Sequence, residues 1–170
     1  GMRMAMNRII FGEMRDSEAA ESFIDVCASG HPGLSTIHAK SAVEAVARLE
    51  LFLGRAQKGV SRNVLTEQIA TAVQVIVYVD ICRVTKQRRI MQIKEVGPVA
   101  DGVLRQRHII SYALQRGVPS WRVVNRVSAH KEALESLAEP VFLHNWANTL
   151  ELSLASQYKE AAAMKSMQLN

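Results

Sequence analysis

A chain of 170 residues and 18.9 kDa fits one domain, or one domain with an appendage. With 48% apolar and 22% charged residues and a mean hydropathy of +0.01, it can build a core, and the composition argues against a disordered tail and against a membrane protein. No apolar run approaches the ~18–20 residues of a membrane span, so the expectation is a soluble protein.

Lysine and arginine number 21 against 16 acidic residues, a net charge of +5. Phosphates, nucleic acid or anionic lipid are therefore tolerated as partners, although the scattered cations make the preference mild. Cys27 and Cys82 form no C-x-x-C pair and stand in apolar contexts that suit buried thiols, which excludes a disulfide framework and points to a reducing compartment. No basic-then-apolar leader with a cleavage site is visible, so export is not expected; Gly1 ahead of Met2 reads as a tag remnant.

In chain order, Arg8-Ile9-Ile10-Phe11 predicts a buried strand ending at Gly12-Glu13. Asp16 or Ser17 can cap a helix through Ala20, Phe23, Ile24 and Cys27, with Gly30 as its stop. Leu34 to His38 predicts a second strand. Ser41 with Glu44 forms a capping box that opens a helix ending at Gly54. Strand, helix, strand, helix is the order of a parallel sheet with crossover helices. After a polar connection, Ser61 can cap a third helix through Leu65, Ile69 and Ala72. Val73–Val84 and Arg89–Val96 then predict an antiparallel pair around a turn at Thr85-Lys86-Gln87-Arg88. Past Gly97-Pro98 the character changes: Val103–Leu114 suits another strand, Ser128 opens a short helix through Leu134 and Leu137 that Pro140 breaks, and Leu150, Leu154, Tyr158, Ala161 and Met164 mark a closing helix. The division expected is 2–96 as core and 97–170 as an extension.

Two strand ends carry candidate chemistry, because open α/β sheets place their sites at the carboxyl ends of strands. Glu13 ends the first strand, where a carboxylate can orient a water or help hold Mg²⁺ beside a terminal phosphate; the short pattern alone favours a solvated residue opening a loop. His38 ends the second, and would emerge on the same rim as Glu13 if the strands are parallel. A histidine there can donate to a γ-phosphate, or be a hydrogen-bonded structural side chain. A zinc site gains little support, since His31 and His38 have no cysteine at ligand spacing, and no metal ligand is assigned.

Taken together, the segments Arg8-Ile9-Ile10-Phe11-Gly12-Glu13-Met14-Arg15-Asp16, Ser29-Gly30-His31-Pro32-Gly33 and Ser35-Thr36-Ile37-His38-Ala39 resemble the Walker B segment and His box of the secretion ATPase superfamily. These are hexameric motors of type II and type IV secretion, conjugal DNA transfer and pilus dynamics. The similarity continues through Arg48-Leu49-Glu50, Ile69–Val73 and Arg88-Arg89-Ile90, over about residues 3–96, and is closest to the conjugal-transfer branch. The resemblance implies an incomplete RecA-like P-loop NTPase core, with parallel strands, crossover helices and an antiparallel hairpin, followed by a helical C-terminal extension. It implies that Glu13 positions the attacking water and that His38 lies near the γ-phosphate. Gly12, Gly30 and His31 would shape the nucleotide-site loop. Arg15, Asp16 and Arg48 would have structural or subunit-contact roles.

Two departures stand out. The family's phosphate loop, G-x-x-x-x-G-K-[ST], lies upstream of Walker B and is not in this sequence. Gly54–Ser61 is a decoy, with Val60 where the lysine belongs and a helix in place of the preceding strand. Met6-Asn7 also replaces the family's proline and aspartate. The chain is thus expected to be the C-terminal part of a traffic ATPase that powers DNA or protein transfer, inactive alone, or else a non-catalytic binding or assembly module that keeps the fold. ATP and Mg²⁺ would serve the complete enzyme, with neither bound by this chain alone. Partners would be secretion or conjugation machinery at the inner membrane. Hexamers are the family's assembly, and a monomer or small oligomer is expected here, cytoplasmic or peripheral to that membrane. Trp121 and Trp146 read as core or interface aromatics. Arg105, Arg107, Arg116, Arg122 and Arg126 read as a solvated surface, or as a basic face for nucleic acid or lipid.

Overall fold

The computed structural model describes residues 8–115, 118–125, 128 and 130. Met6-Asn7, Arg116, Arg126, Trp146 and the helices expected through Leu134–Leu137 and Leu150–Met164 lie outside the described residues. The fold is mixed α/β: β1 (Ile9–Ile10), α1 (Ser17–Ala28), β2 (Gly33–Leu34), α2 (Ala42–Ala56), α3 (Arg62–Ala72), β3 (Val75–Ile81), β4 (Arg88–Ala100), β5 (Val103–Gln115) and β6 (Val118–Val123). β1 and β2 form a parallel pair, and a second sheet has the order β3-β4-β5-β6.

The described chain divides into two compact units. One comprises the described residues up to Ile76 with Val96–Gln106; the other comprises Val77–Glu95 with the described residues from Arg107 on. Each therefore takes residues from both sides of position 96.

In the first unit three helices enclose the core. Asp16 caps α1 by accepting from the Ala19 N–H at 2.9 Å, and Ala20, Phe23 and Ile24 turn one buried face inward. Ser41 accepts from the Glu44 N–H at 3.1 Å, whereas the Glu44 carboxylate reaches back one residue further than in a capping box, to the Lys40 N–H at 3.0 Å. α2 does not stop at Gly54 but runs to Ala56. A Cβ at Gly54 would stand 3.5 Å from Leu65 Cδ1, an ordinary contact, so the glycine neither ends the helix nor is required by the packing of α3. Ser61 precedes α3 without a side-chain capping bond. Glu50 ties α2 to α3 instead, accepting from Arg62 Nη2 at 2.9 Å and from Thr66 Oγ1 at 3.2 Å. Ile24, Leu53 and Ile69, all fully enclosed, form the centre of this core, joined by Val96 and Leu104 from β4 and β5.

Two expectations about the sheets are corrected. The second strand is Gly33–Leu34 alone, because past Leu34 the pairing with β1 shifts by a residue. β4 runs through Gly97-Pro98 to Ala100. Val96 donates to Gln74 just before β3 begins, so the N–H that Pro98 lacks faces a side on which β3 is no longer present. Past Ala100 the strand expected over Val103–Leu114 forms as β5, entered by a two-residue hairpin turn at Asp101 (φ 54) and Gly102 (φ 71).

In the second unit, β5 and β6 pair antiparallel, from Ile110 opposite Val123 to Gln115 opposite Val118. The β3–β4 turn lies at 82–87: Cys82 N–H donates to Gln87 O at 2.9 Å, Lys86 N–H donates to Cys82 O at 2.8 Å, and Lys86 takes φ 57. Trp121 donates its indole N–H to Ile90 O at 2.8 Å and meets Tyr112 edge-on at 5.4 Å. Cys82 is buried as expected, but among hydroxyls. Thr85 first, and then the Tyr112 O–H at 3.1 Å from Sγ, hold its thiol down from 9.0 to about 6.

Candidate active site

The site grows from the parallel pair. Ile9 N–H donates to Pro32 O and Phe11 N–H to Leu34 O, advancing two residues on each side. The next bond runs from Met14 N–H, not Glu13 N–H, to Thr36 O at 2.8 Å. Three residues on the first segment thus oppose two on the second, which is the geometry of a bulge with one extra residue. Thr36 Oγ1 fixes the turn by donating to Gly12 O at 2.8 Å. Met14 returns to the core, 5% exposed, and Glu13 is left at the carboxyl rim.

There Glu13 holds two cationic or potentially cationic partners. Arg15 Nε donates to Oε2 at 2.5 Å, and His38 Nε2 lies 2.8 Å from Oε1. The Glu13 side chain is 18% exposed, against 79% for Arg15 and 85% for His38, so the carboxylate is half-enclosed by two solvent-facing groups. The Arg15 hydrogen bond chiefly lowers the Glu13 pKa; partial burial opposes it, and the charges of Arg15, His38 and Arg48 add to it. The same bond raises the Arg15 pKa. The result is an ionised carboxylate beside an exposed imidazole, able to accept a proton or to orient a water.

The other sequence candidates divide. Gly12 lies in the bulge and accepts from Thr36. Asp16 caps α1. Arg48 lies over the Phe52 ring, 5.4 Å from its centroid, and contributes charge to Glu13. Gly30 and His31 are not brought to Glu13, since they precede β2 and so stand at the opposite end of a strand parallel to β1. Their geometry is that of a helix stop. Gly30 (φ 92) donates to Cys27 O, His31 N–H donates to Val26 O, and Ser29 Oγ lies 3.2 Å from His31 Nδ1. Among the described residues no group of three or more His, Cys, Asp or Glu side chains could hold a metal ion. The role of Thr36, in a local S-T-I-H pattern that marks only a strand end, was not visible from the sequence.

Residues 1–149 match the family model described as "Type II/IV secretion system protein". The chain belongs to that family. Among relatives of this secretion-system protein, the conjugal transfer protein TrbB of Rhizobium radiobacter is 38% identical over 93 residues, 54% of this chain and 27% of that protein. VirB11 of Agrobacterium fabrum is 39% identical over 79 residues, 45% of this chain and 23% of that protein. The crystal structure of the VirB11 ATPase from the Brucella suis type IV secretion system, in complex with sulphate, shares 28% identity at a TM-score of 0.51. That match covers 55% of this chain and 29% of the other. The chain thus spans less than a third of the length of these relatives. No helix among the described residues is long and apolar enough to cross a membrane.

Proposed function

We propose that this chain supplies the Walker B and His-box part of the ATP-hydrolysis site of a type IV secretion or conjugal-transfer ATPase, on an incomplete RecA-like core. The observation that carries the reading is the 2.8 Å contact of Glu13 with His38 at the carboxyl rim of two parallel strands, in a chain of this family. Glu13 positions the attacking water. Arg15 keeps it ionised, so it accepts a hydrogen bond from that water and orients it. His38 is free to turn from Oε1 toward a terminal phosphate oxygen and donate there. When bound, Mg²⁺ with ATP supplies the charge neutralisation that phosphoryl transfer needs.

The residues present fit the terminal-phosphate end of such a site: a lowered-pKa carboxylate and an exposed imidazole. The rest of the triphosphate calls for a backbone N–H cradle and its lysine, which the remainder of the family protein provides. Alone, the chain therefore does not hydrolyse ATP, binds Mg·ATP no better than about millimolar, and is a monomer or small oligomer rather than a hexamer. It works with secretion or conjugation machinery on the cytoplasmic side of the inner membrane.

The test joins this chain to the upstream part of the Rhizobium radiobacter TrbB relative. Glu13→Gln in that fusion keeps nucleotide binding and lowers turnover by roughly 10²-fold. Turnover within a few-fold of the parent removes Glu13 from the site. A parent fusion that binds nucleotide without turnover favours the non-catalytic assembly module instead. Calorimetric titration of Mg·ATP into the unfused chain completes the test: a salt-resistant micromolar site lost in His38→Ala overturns the missing-cradle reading.

A further inference from the structure

One residue holds the backbone on both sides of Glu13. The peptide unit on its N-terminal side carries the Gly12 carbonyl, which accepts from Thr36 Oγ1 at 2.8 Å. The unit on its C-terminal side carries the Met14 N–H, which donates to Thr36 O at 2.8 Å. The two soft dihedrals of Glu13 lie between these planar units, so holding both planes sets the direction in which its side chain leaves the backbone. Any residue at position 36 can supply the carbonyl bond. The hydroxyl bond needs serine or threonine, and β-branching makes threonine the stiffer of the two about χ1.

The clamp matters because a bulge interrupts the ladder that would otherwise orient the extra residue. Glu13 has to present one oxygen to Arg15 Nε and the other to His38 Nε2, and the latter belongs to the segment that carries Thr36. One side chain thus registers the backbone of Glu13 against the segment of His38. Gly12 adds no comparable constraint: a Cβ there would meet nothing within 4 Å, and its φ is not positive, so the glycine is not what shapes the bulge. Thr36 itself is exposed, and no packing demand in the core explains a threonine there.

We infer that Thr36 is a positioning residue of the hydrolysis site, its hydroxyl and carbonyl clamping the two peptide units that flank Glu13 so that the carboxylate stands where it can orient the attacking water. The inference rests on the role proposed for Glu13. Thr36 acts through Glu13 and not on the nucleotide, so losing its hydroxyl slows the step that follows binding and leaves binding itself unchanged.

The test compares Thr36→Val, which keeps the shape of the side chain without the hydroxyl, with Thr36→Ser, which keeps the hydroxyl. In the fusion to the upstream part of the TrbB relative, Thr36→Val should lower kcat roughly tenfold with KM for ATP within about twofold, and Thr36→Ser should recover most of the loss. In the unfused full chain, carboxyl-carbon NMR of Glu13 reads the geometry without turnover. Thr36→Val should raise the Glu13 titration midpoint as the Arg15 hydrogen bond loosens, and Thr36→Ser should stay near the parent. If valine unsettles the fold, Thr36→Ala takes its place with the same expectations. The inference is overturned if the variant without the hydroxyl matches the parent in both midpoint and kcat, if its loss is confined to KM, or if Thr36→Ser falls as far as Thr36→Val. A midpoint that moves in Thr36→Val while Glu13→Gln turns over like the parent supports the clamp and overturns the role of Glu13 in hydrolysis.

Discussion

Gly33 is where the helical core and the candidate site constrain each other, and replacing it with alanine tests that link. A Cβ at Gly33 would lie 2.4 Å from Cys27 Sγ and 3.1 Å from Phe23 Cε2, both on α1. The first distance is far inside van der Waals contact, so either the thiol turns away or β2 moves off the helix. Gly33 is not among the glycines with positive φ, so alanine suffers no backbone strain and gains about 0.4–1 kcal/mol from a less free unfolded chain. Overpacking costs ~1–3 kcal/mol. The net expectation for Gly33→Ala is a loss of up to roughly 2.5 kcal/mol. Cys27→Ala removes the Sγ and should recover much of that loss, giving a coupling of ~1 kcal/mol or more in a double-variant cycle. Equilibrium urea unfolding of the four proteins measures both quantities. A Gly33→Ala midpoint at or above the parent's, or a cycle that is simply additive, refutes the packing argument.

Other consequences arise from the site and from Cys82. Arg15→Gln should raise the Glu13 titration midpoint, and His38→Gln should raise it less, because the Arg15 hydrogen bond contributes most to the lowering; carboxyl-carbon NMR reads both, and equal shifts contradict the assignment. Gly33→Ala should also move that midpoint if displacing β2 carries His38 away from Glu13. The Cys82 thiol, lowered from 9.0 to about 6, contributes stability that is fully present above its unfolded value and is lost as pH falls through the folded one. The urea midpoint should therefore fall between pH 9 and pH 6 in the parent, and Cys82→Ser should flatten that part of the profile; an unchanged slope would show that Cys82 does not ionise there.

The sequence revealed mostly local features. Asp16 and Ser41 announce helix starts because a cap involves only the next three or four residues, and both bonds form. The parallel order of β1 and β2 followed from the intervening helix, and with it the shared rim of Glu13 and His38. The bulge was not legible. It depends on which N–H meets Thr36 O across the pair, and nothing in Phe11-Gly12-Glu13-Met14 alone sets that choice. Gly30 and His31 have a local role beside the motif, since their backbone geometry is that of a helix stop. Asp101-Gly102 was a readable hairpin signal, overshadowed by Gly97-Pro98, whose proline is tolerated because β3 has already ended on its side. Cys82 looked inert because its sequence neighbours are apolar, whereas the groups that matter are Thr85 across the turn and Tyr112 on another strand.

The bulge also explains why Glu13 and Met14 can do different things. Side chains alternate across a strand, so consecutive residues in a regular ladder would face opposite sides of the pair at fixed heights. The additional residue between Phe11 and Met14 breaks that rule locally: Met14 still enters the core, while Glu13 is held at the rim, where Arg15 and His38 reach its two oxygens. Arg15 is in turn placed by the start of α1, one residue before the Asp16 cap. The carboxylate is thus positioned from one side by a helix start and from the other by a strand end. Core packing of Met14 and capping by Asp16 fix where Glu13 must stand, and the exposed imidazole of His38 is the member of the cluster with room to move.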